Sequence, residues 1–289
     1  MGETLDFLPI GIEDKQLFDR YFGAQRFENS HCNFTTRFIW RRPFGLKWTV
    51  IDGCLCTIGV SGGEHFALPP VGLDRSAVGA ALDKVAAYFH EHGWPLIFRD
   101  VEQSLAQAME ELRPGRYSFR EDRGNFDYVY DVQALIALKG RKFHAKKNQV
   151  NTFRRLYSGF RVAPLTETRV ASCLEVAREW AANRARGHRV ILYEQEAISE
   201  ALSNFAALQL VGSVIEVGGK VAAFTFGERL NEDTAVVHVE KADTAFKGVY
   251  STINREFCAA YWQDMKYINR QEDLGIPGLR KAKESYHPV

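Results

Sequence analysis

The stretch that decides the fold is SVIEVGGKVAAFTFGERLNEDTAVVHVEKADTAFKGVYSTINREFCAAYWQDMKYINR, residues 213–270. Two runs of β-branched and aromatic residues, 213–217 and 221–226, flank Gly218-Gly219, which predicts an antiparallel hairpin. One more strand, a helix and a final strand are predicted after it, over 234–239, 249–262 and 266–270. Because strand, helix and strand in this order form a right-handed crossover, we expect the last two strands to be parallel.

The rest of the chain repeats this order of elements. Three helices are predicted before the hairpin, over 139–157, 167–186 and 194–209. The first half predicts a helix over 13–22, strands over 47–52, 55–60 and 65–68, a helix over 75–92, a strand over 95–101, a helix over 102–112 and a last strand over 126–131. Pro69-Pro70 is expected to break the strand pattern. We therefore predict an α/β (α+β) fold of two tandem domains, 1–125 and 126–289, each a mixed, mostly antiparallel sheet flanked by helices.

Composition is that of an ordinary folded protein. The chain has 289 residues, 46% of them hydrophobic and 25% charged, with a formal net charge of +1. These values exclude the disordered, collagen-like and coiled-coil classes. A net charge this small gives no overall preference for nucleic acid or an anionic membrane, so any such preference must be local. An odd number of cysteines, spread along a long chain, is typical of free thiols in a reducing cytoplasm.

Several kinds of segment and motif are missing from the sequence. Residues 1–6 have neither the cationic flank nor the apolar core of a signal peptide, and no apolar run approaches the roughly 20 residues that span a bilayer. We expect a cytoplasmic protein without an integral membrane segment. Cys54 and Cys56 have no partner at zinc spacing, so they are expected to be buried on one strand face, and no metal site is predicted. The motifs of serine hydrolases, dinucleotide-binding proteins, P-loop proteins and zinc proteases are absent.

The most unusual local feature is a basic segment over 132–166, which has eight lysines and arginines and no acidic residue. On a helix, Phe143, Val150 and Phe153 form a buried stripe, and the cations lie on its flanks. Two interpretations stay open: a solvated helix flank, or contact with a polyanion such as RNA, a nucleotide-bearing cofactor or a lipid headgroup. The candidate anion-binding residues of this segment are Lys142, His144, Lys146, Lys147 and Asn148.

A second candidate site is the strand and loop over 236–251. His238 and Glu240 are two residues apart, so they are expected to share a strand face, where a carboxylate beside an imidazole could take a proton from an attacking amine. Lys247-Gly248 precedes the helix, and the N–H groups of Gly248 to Tyr250 could bind anionic oxygen. A purely structural Glu–Lys pair at the end of the strand is the alternative.

The third candidate is the tail over 268–288. Polar residues, among them Asn269, follow directly on an apolar strand, and a Gly-Ile-Pro-Gly turn leads to a basic segment with Arg280 and Lys283. Frayed termini are poorer in aromatic residues and turn signals than this segment, which also contains Tyr286. We therefore predict that the tail packs back on the second domain.

Three stretches carry a resemblance to a known family. They are DYVYDVQALIALKGRKFHAKKNQVNTF (127–153), VVHVEKADTAFKGVYSTINREF (236–257) and YINRQEDLGIPGLRKAKESYHP (267–288). They resemble bacterial proteins of unassigned function grouped with the C-terminal domain of phosphatidylglycerol lysyltransferase, and the opening segments LPIGIEDKQLFDRYF and NFTTRFIWR fit the same group. The resemblance implies two tandem domains similar to Gcn5-related N-acetyltransferases (GNAT), as in the lysyltransferases and the Fem-type peptidyltransferases. Those enzymes transfer an aminoacyl group from charged tRNA to an amine or hydroxyl.

The sequence also departs from the family pattern. The lysyltransferases are fused to an integral membrane portion, which this chain lacks, and their Asp-x-x-Arg pair is replaced by His238-Val239-Glu240-Lys241. Their closing Leu-Arg-x-x-Lys is matched by residues 279–283. The glycine-rich frame with which a relative binds the pyrophosphate of coenzyme A keeps only its central glycine here, Gly248. The resemblance therefore implies a transferase whose binding of coenzyme A is impaired.

The predicted function is transfer of an acyl or aminoacyl group from an activated donor, aminoacyl-tRNA or a coenzyme A thioester, to an amine or hydroxyl acceptor. Glu240, His238 and Lys283 are the candidate catalytic residues. The candidates for binding the anionic donor are Lys142, His144, Lys146, Lys147, Asn148, Lys247, Gly248, Tyr250, Asn269 and Arg280. The alternative is a non-catalytic sensor or adaptor that binds an anionic ligand on a degenerate transferase scaffold. Neither the acceptor nor the oligomeric state is predicted.

Overall fold

The computed structural model describes residues 5–182 and 189–289. The chain divides into two compact units, Met1–Asp122 and Arg123–Val289, and each unit has a sheet of its own. Both sheets are dominated by antiparallel pairs and are flanked by helices, so the predicted fold class is confirmed.

The first unit has a four-stranded antiparallel sheet in the order β1-β2-β3-β4. The strands are β1 Leu8–Pro9, β2 Lys47–Ile51, β3 Cys54–Ser61 and β4 Glu64–Gly72. The helices are α1 Lys15–Gly23, α2 Phe34–Trp40, α3 Arg75–Glu91 and α4 Gln103–Leu112. Helix α3 packs Ala81, Val85 and Phe89 on the apolar face of the sheet.

Two predictions for this unit are wrong. Pro69 and Pro70 do not end the strand, because β4 is an edge strand and proline is tolerated where no neighbouring strand needs its N–H. Residues 95–101 form no strand; they contribute one isolated parallel bridge, from Phe98 to Ala67. The prediction for Cys54 and Cys56 is confirmed, since both are buried in the cluster beneath α3.

The second unit has a six-stranded sheet in the order β5-β10-β9-β8-β7-β6, and only the β9–β10 pair is parallel. The strands are β5 Val129–Asp131, β6 Arg161–Pro164, β7 Val211–Val217, β8 Lys220–Arg229, β9 Thr234–Ala242 and β10 Tyr267–Asn269. The helices are α5 Val132–Ala137, α6 His144–Leu156, α7 Val170–Ala182, α8 Arg189–Ser203, α9 Val249–Tyr261 and α10 Pro277–Glu284.

The hairpin, the crossover helix and the parallel closing strand are as predicted. Other boundaries differ: the strand predicted over 126–131 is not the last of the first sheet, because β5 pairs antiparallel with β10 in the second. The helix predicted over 139–157 begins only at His144, and α8 begins and ends earlier than predicted. The helix predicted over 167–186 is α7, and its last predicted residues lie outside the described part of the chain.

Helix α9 covers one face of the second sheet and positions the site described below. Its residues Phe257 and Cys258 pack on Ala235 and Val237 of β9 and on Ile268 of β10. Its first half packs against α6 through Val249 and Ile253, which share a cluster with Phe153. The buried stripe predicted for α6 is therefore present.

Candidate active site

The site lies where β9 and β10 part. The two strands pair over only three residues, Thr234 to Val236 against Tyr267 to Asn269, and β9 then continues to Ala242 after β10 has ended. Beyond the last paired residues, side chains of β9, α6, α9 and the segment after β10 occupy the space that a longer strand would fill.

The centre of this space is an ion pair between Glu240 and Arg270. Nη2 of Arg270 donates to Oε1 of Glu240 at 3.0 Å, and the two side chains are only 12% and 11% exposed. Nδ2 of Asn254, on α9, donates to Oε2 of the same carboxylate at 3.2 Å. Both oxygens of Glu240 are therefore held by charged or polar donors from neighbouring elements.

Two buried polar atoms beside this pair lack a hydrogen-bond partner among the described residues. They are Nη1 of Arg270, a donor, and Oδ1 of Asn254, an acceptor. Since buried polar groups are nearly always satisfied, an unpartnered donor and an unpartnered acceptor beside one carboxylate call for an additional group, such as a water molecule or a ligand, to pair with them. Burial would lower the pKa of Arg270, but adjacent Glu240 raises it above the usual value, so the guanidinium stays charged.

Aromatic rings cover the cationic side of the pair. The guanidinium carbon of Arg270 lies 4.9 Å from the centre of the Tyr286 ring and 5.6 Å from that of Tyr130. Nζ of Lys146 lies 3.9 Å from the centre of the same Tyr286 ring. Burial first, and then the nearby positive charge of Arg270, lower the pKa of Lys146 to about 8, against an opposing effect of Glu240. Lys146 is thus an inward-facing cation that titrates near neutral pH.

A short chain of hydroxyl and amide groups connects α6, α9 and the tail. Oγ of Ser251 donates to Oε1 of Gln149 at 2.5 Å and lies 3.1 Å from the hydroxyl of Tyr286. Burial raises the pKa of Tyr286 to about 12, so its hydroxyl keeps its proton at neutral pH. The site therefore holds one carboxylate, two cations and a protonated phenol.

The tail packs on this unit, as predicted, and fixes the segment after β10. Nζ of Lys283 donates to the carbonyl oxygens of Arg270, Gln271 and Glu272, at 2.5, 2.9 and 2.5 Å. All three donors of its ammonium are thus used by main-chain acceptors. The structure gives Lys283, predicted as catalytic, a positioning contact with the segment that carries Arg270.

Arg280 and Asn269, both predicted to bind an anion, are engaged within the protein. Arg280 donates from Nε and Nη2 to the two carboxylate oxygens of Asp273, at 2.7 and 3.1 Å, and holds the pKa of Asp273 well below its usual range. Asn269 has no exposed surface; it donates to Asp127 at 2.7 Å and accepts from the N–H of Gln271 at 2.8 Å. The polar groups of both side chains are thus used within the protein.

The predicted sharing of one face by His238 and Glu240 is wrong. A register shift between Phe226 and Gly227 interrupts the two-residue alternation of β9 at this point. His238 is buried and bonds Glu228 at 2.8 Å, with Gln271 at 3.4 Å on its other nitrogen. Glu240 instead contacts Asn254 of α9 and Arg270, so the imidazole of His238 and the carboxylate of Glu240 have different partners.

The remaining predicted anion-binding residues fall into two places. His144, Lys147 and Asn148 are exposed on α6, and Lys142 is exposed in the turn just before it. Of these predicted residues, only Lys146 turns inward. Lys247 is exposed and its N–H donates to the hydroxyl of Tyr157 at 3.2 Å.

The start of α9 does not match the predicted set of free N–H donors. Tyr250 is half-buried, and the N–H of Val249 donates to the carbonyl of Phe246 at 3.2 Å. Gly248 has a φ of +87°, and a Cβ there would collide with the carbonyl oxygen of Gln149 on α6. Helix α6 thus lies directly over the start of α9.

A family model described as phosphatidylglycerol lysyltransferase, C-terminal, matches residues 24–289. The chain belongs to this family. No curated protein matches it. Family membership supports a general acyl- or aminoacyltransferase.

Solved structures share the fold. A conserved protein of unknown function from Bacteroides thetaiotaomicron is 36% identical, with a TM-score of 0.92 over 99% of this chain and 96% of that one. The L-PGS structure from Bacillus licheniformis is 14% identical, with a TM-score of 0.69 over 99% and 91%. FemX is 9% identical, with a TM-score of 0.60 over 98% and 94%. This lysyltransferase-family member thus has the fold of L-PGS and FemX.

Two kinds of feature are absent from the described residues, 5–182 and 189–289. No helix within them combines the length and the apolar character that crossing a membrane requires. Nor do three or more His, Cys, Asp or Glu side chains group there in a way that could hold a metal ion.

Four residues of the site in this family member are not among those predicted from the sequence: Arg270, Asn254, Tyr286 and Ser251. A signal existed for Arg270, because it is the first charged residue after the apolar strand that was predicted to pair in parallel. The inward position of Lys146 also had a signal: residues 143, 146, 150, 153 and 157 follow the 3-4-3-4 spacing of one helix face. Lys146 is the polar member of that stripe.

Proposed function

We propose that this protein is an acyl- or aminoacyltransferase and that its domain 126–289 carries the active site. The observation that supports this most is the buried Glu240–Arg270 pair at the point where β9 and β10 part, with an orphaned donor and an orphaned acceptor beside it. The family description names a lysyltransferase, which is an enzyme of this reaction class.

In the proposed reaction, Glu240 accepts a proton from the attacking amine or hydroxyl. The lone pair of the acceptor forms a bond to the carbonyl carbon of the donor, and the carbonyl oxygen becomes an oxyanion. Nη1 of Arg270, which is buried and has no hydrogen-bond partner among residues 5–182 and 189–289, is the donor available to stabilise that oxyanion. The bond from the carbonyl carbon to the leaving oxygen or sulfur then breaks, and the leaving group takes up a proton. Tyr286, with its raised pKa, is a protonated group at this position that can supply it.

We propose aminoacyl-tRNA rather than a coenzyme A thioester as the donor. Exposed cations of the segment from 139 to 155 have no acidic residue among them, which favours contact with a phosphate backbone. A diphosphate at the start of α9 is disfavoured, because α6 covers Gly248 and the N–H of Lys247 is bonded to Tyr157. Lys142 and Lys147 would contact the tRNA, and inward-facing Lys146 would contact its acceptor end.

A transfer assay tests the proposal. Purified protein is incubated with tRNA charged with radiolabelled amino acids, or with labelled acyl-coenzyme A, and a mixture of amine and hydroxyl acceptors. We expect label to move from aminoacyl-tRNA at a rate that falls at least about 100-fold in Glu240→Gln, the usual size of a lost general base. Glu175→Gln, at an exposed position on α7, is the matched control and should leave the rate unchanged.

The non-catalytic alternative keeps one observation in its favour: both oxygens of Glu240 and all donors of Lys283 are occupied within the protein. A sensor or adaptor would bind charged tRNA stoichiometrically and transfer nothing from any donor. The same preparation therefore decides between the two functions, since binding without turnover supports the alternative and overturns the proposed enzyme.

A further inference from the structure

An unpaired arginine is buried in the first unit. Arg37 lies in the middle of α2 and is only 6% exposed. Its Nε is sealed from solvent without a hydrogen-bond partner, and no carboxylate of residues 5–182 or 189–289 forms an ion pair with it. The nearest ring, that of Phe22, has its centre 6.0 Å from the guanidinium carbon. By contrast, half-exposed Arg113 of the same unit bonds both oxygens of Asp83.

Keeping a charge in this position is costly. Burial lowers the pKa of Arg37, opposed by nearby Cys32 and Asp100, yet a guanidinium is not deprotonated at neutral pH. The carboxylate of Asp100 forms neither a hydrogen bond nor an ion pair with Arg37; it lies 3.6 Å from Nδ1 of His31. Buried charges in folded proteins are paired or bind a counter-charge. The pairing partner of Arg37 is missing from the described part of the chain.

The surrounding segment is rigidly built and has a second unsatisfied group. Asn33 caps α2 by accepting from the N–H of Thr36, and its own amide donates to the carbonyl of Ser30 at 2.6 Å. Oγ1 of Thr35, two residues from Arg37, is fully buried and has no hydrogen-bond partner. An ordered polar segment with unused donors is a preorganised environment for a polar ligand.

We propose that Arg37 anchors an oxyanion-binding site in the first unit, where a carboxylate or phosphate group of a ligand accepts hydrogen bonds from its guanidinium. The planar fork of an arginine matches two oxygens of such a group, and a guanidinium binds them with less desolvation than an ammonium. Arg37 belongs to the first unit, and Glu240 and Arg270 belong to the second, so this proposal does not depend on the proposed reaction.

Thermal unfolding in three matched salts tests the site. The wild type, Arg37→Met and Arg20→Met are each titrated with sodium phosphate, sodium acetate and sodium chloride at equal ionic strength. Arg20 is an exposed arginine of α1, so its variant carries the same change of net charge. We expect a saturable rise of Tm with phosphate or acetate over chloride in the wild type and in Arg20→Met, and no such rise in Arg37→Met. A response to phosphate alone identifies a phosphate ligand, and a response to acetate alone a carboxylate.

A second comparison separates binding from a structural role. In chloride, Arg37→Met should unfold at the same or a higher temperature than the wild type, because methionine removes an unpaired buried charge and keeps the apolar volume. A lower Tm in chloride, an unchanged anion response in Arg37→Met, or no response of the wild type to either oxyanion would each overturn the proposal. The Nε–H signal of Arg37 in a nitrogen-15 spectrum gives an independent readout, since it should shift with the bound fraction.

Discussion

Removing Arg270 alone should destabilise the protein more than removing Arg270 together with the charge of Glu240. In Arg270→Met the carboxylate of Glu240 stays buried, at 11% exposure, with Asn254 as its remaining donor. Breaking one side of a buried ion pair costs about 3–5 kcal/mol, most of it the penalty of the uncompensated charge. In Arg270→Met with Glu240→Gln neither charge of the pair is left, and the amide can still bond Asn254.

The double-mutant cycle gives the size of the effect. Each single change should lower the free energy of unfolding by about 3–5 kcal/mol and the double variant by less than either, so the coupling between the two positions should be at least about 3 kcal/mol. Urea unfolding at neutral pH, followed by circular dichroism, measures the four corners of the cycle. The matched control is the Arg113–Asp83 pair of the first unit, whose side chains are 30% and 41% exposed. Its coupling should stay below about 1 kcal/mol, as is usual for pairs open to water.

Additive effects of the two substitutions on the free energy of unfolding would contradict this prediction. If Arg270→Met and Glu240→Gln add to within about 0.5 kcal/mol, the two groups do not act as a buried pair. The unpartnered Nη1 of Arg270 would then no longer support a ligand-binding role for this arginine.

Two further predictions follow from the same site. Affinity for aminoacyl-tRNA should fall as the pH rises through about 8, where Lys146 loses its charge. Filter binding should show this fall in the wild type and in Lys147→Arg but not in Lys146→Arg, because arginine stays charged. An equal pH dependence in all three proteins would contradict the prediction. Gly248→Ala should cost at least about 2 kcal/mol, because its φ is +87° and its Cβ meets the Gln149 carbonyl. In urea unfolding, the control substitution Gly278→Ala should change the free energy of unfolding by less than about 1 kcal/mol, since nothing lies within 4 Å of its Cβ. Equal effects of Gly248→Ala and Gly278→Ala would contradict the close packing of α6 on the start of α9.

The periodicity and turn signals of the sequence were sufficient to predict the main strands and the crossover helix of the second unit. The Gly218-Gly219 hairpin, the crossover and the parallel pair all depend on local rules that one sequence displays: turn chemistry, a two-residue or 3.6-residue repeat, and the handedness of connections. The prediction that Pro69-Pro70 breaks the strand pattern was wrong, because a proline alone does not indicate whether its strand is central or at an edge of the sheet. Edge position is a property of the assembled sheet.

The chemistry of the site was harder to predict, since it depends on which strand residues face each other. One register shift between Phe226 and Gly227 is enough to separate His238 from Glu240, and no residue pattern in β9 announces it. The sequence likewise predicts Lys146 only as one of several cations on the flanks of α6, either solvated or in contact with a polyanion. Only contacts with residues far along the chain, Arg270 and Tyr286, make it an inward group.

The tail is part of the site because the geometry of Arg270 depends on it. Helix α10 has eight residues, too few for stability in isolation, so its folding must be stabilised by docking. The docking contacts are the three bonds from Lys283 to the carbonyls at 270–272 and the burial of Tyr286 against Arg270. Since these contacts fix the backbone that carries Arg270, folding of α10 and assembly of the Glu240–Arg270 pair must be coupled. A change in α10 that leaves the sheet intact will therefore alter the site while touching none of the reacting groups.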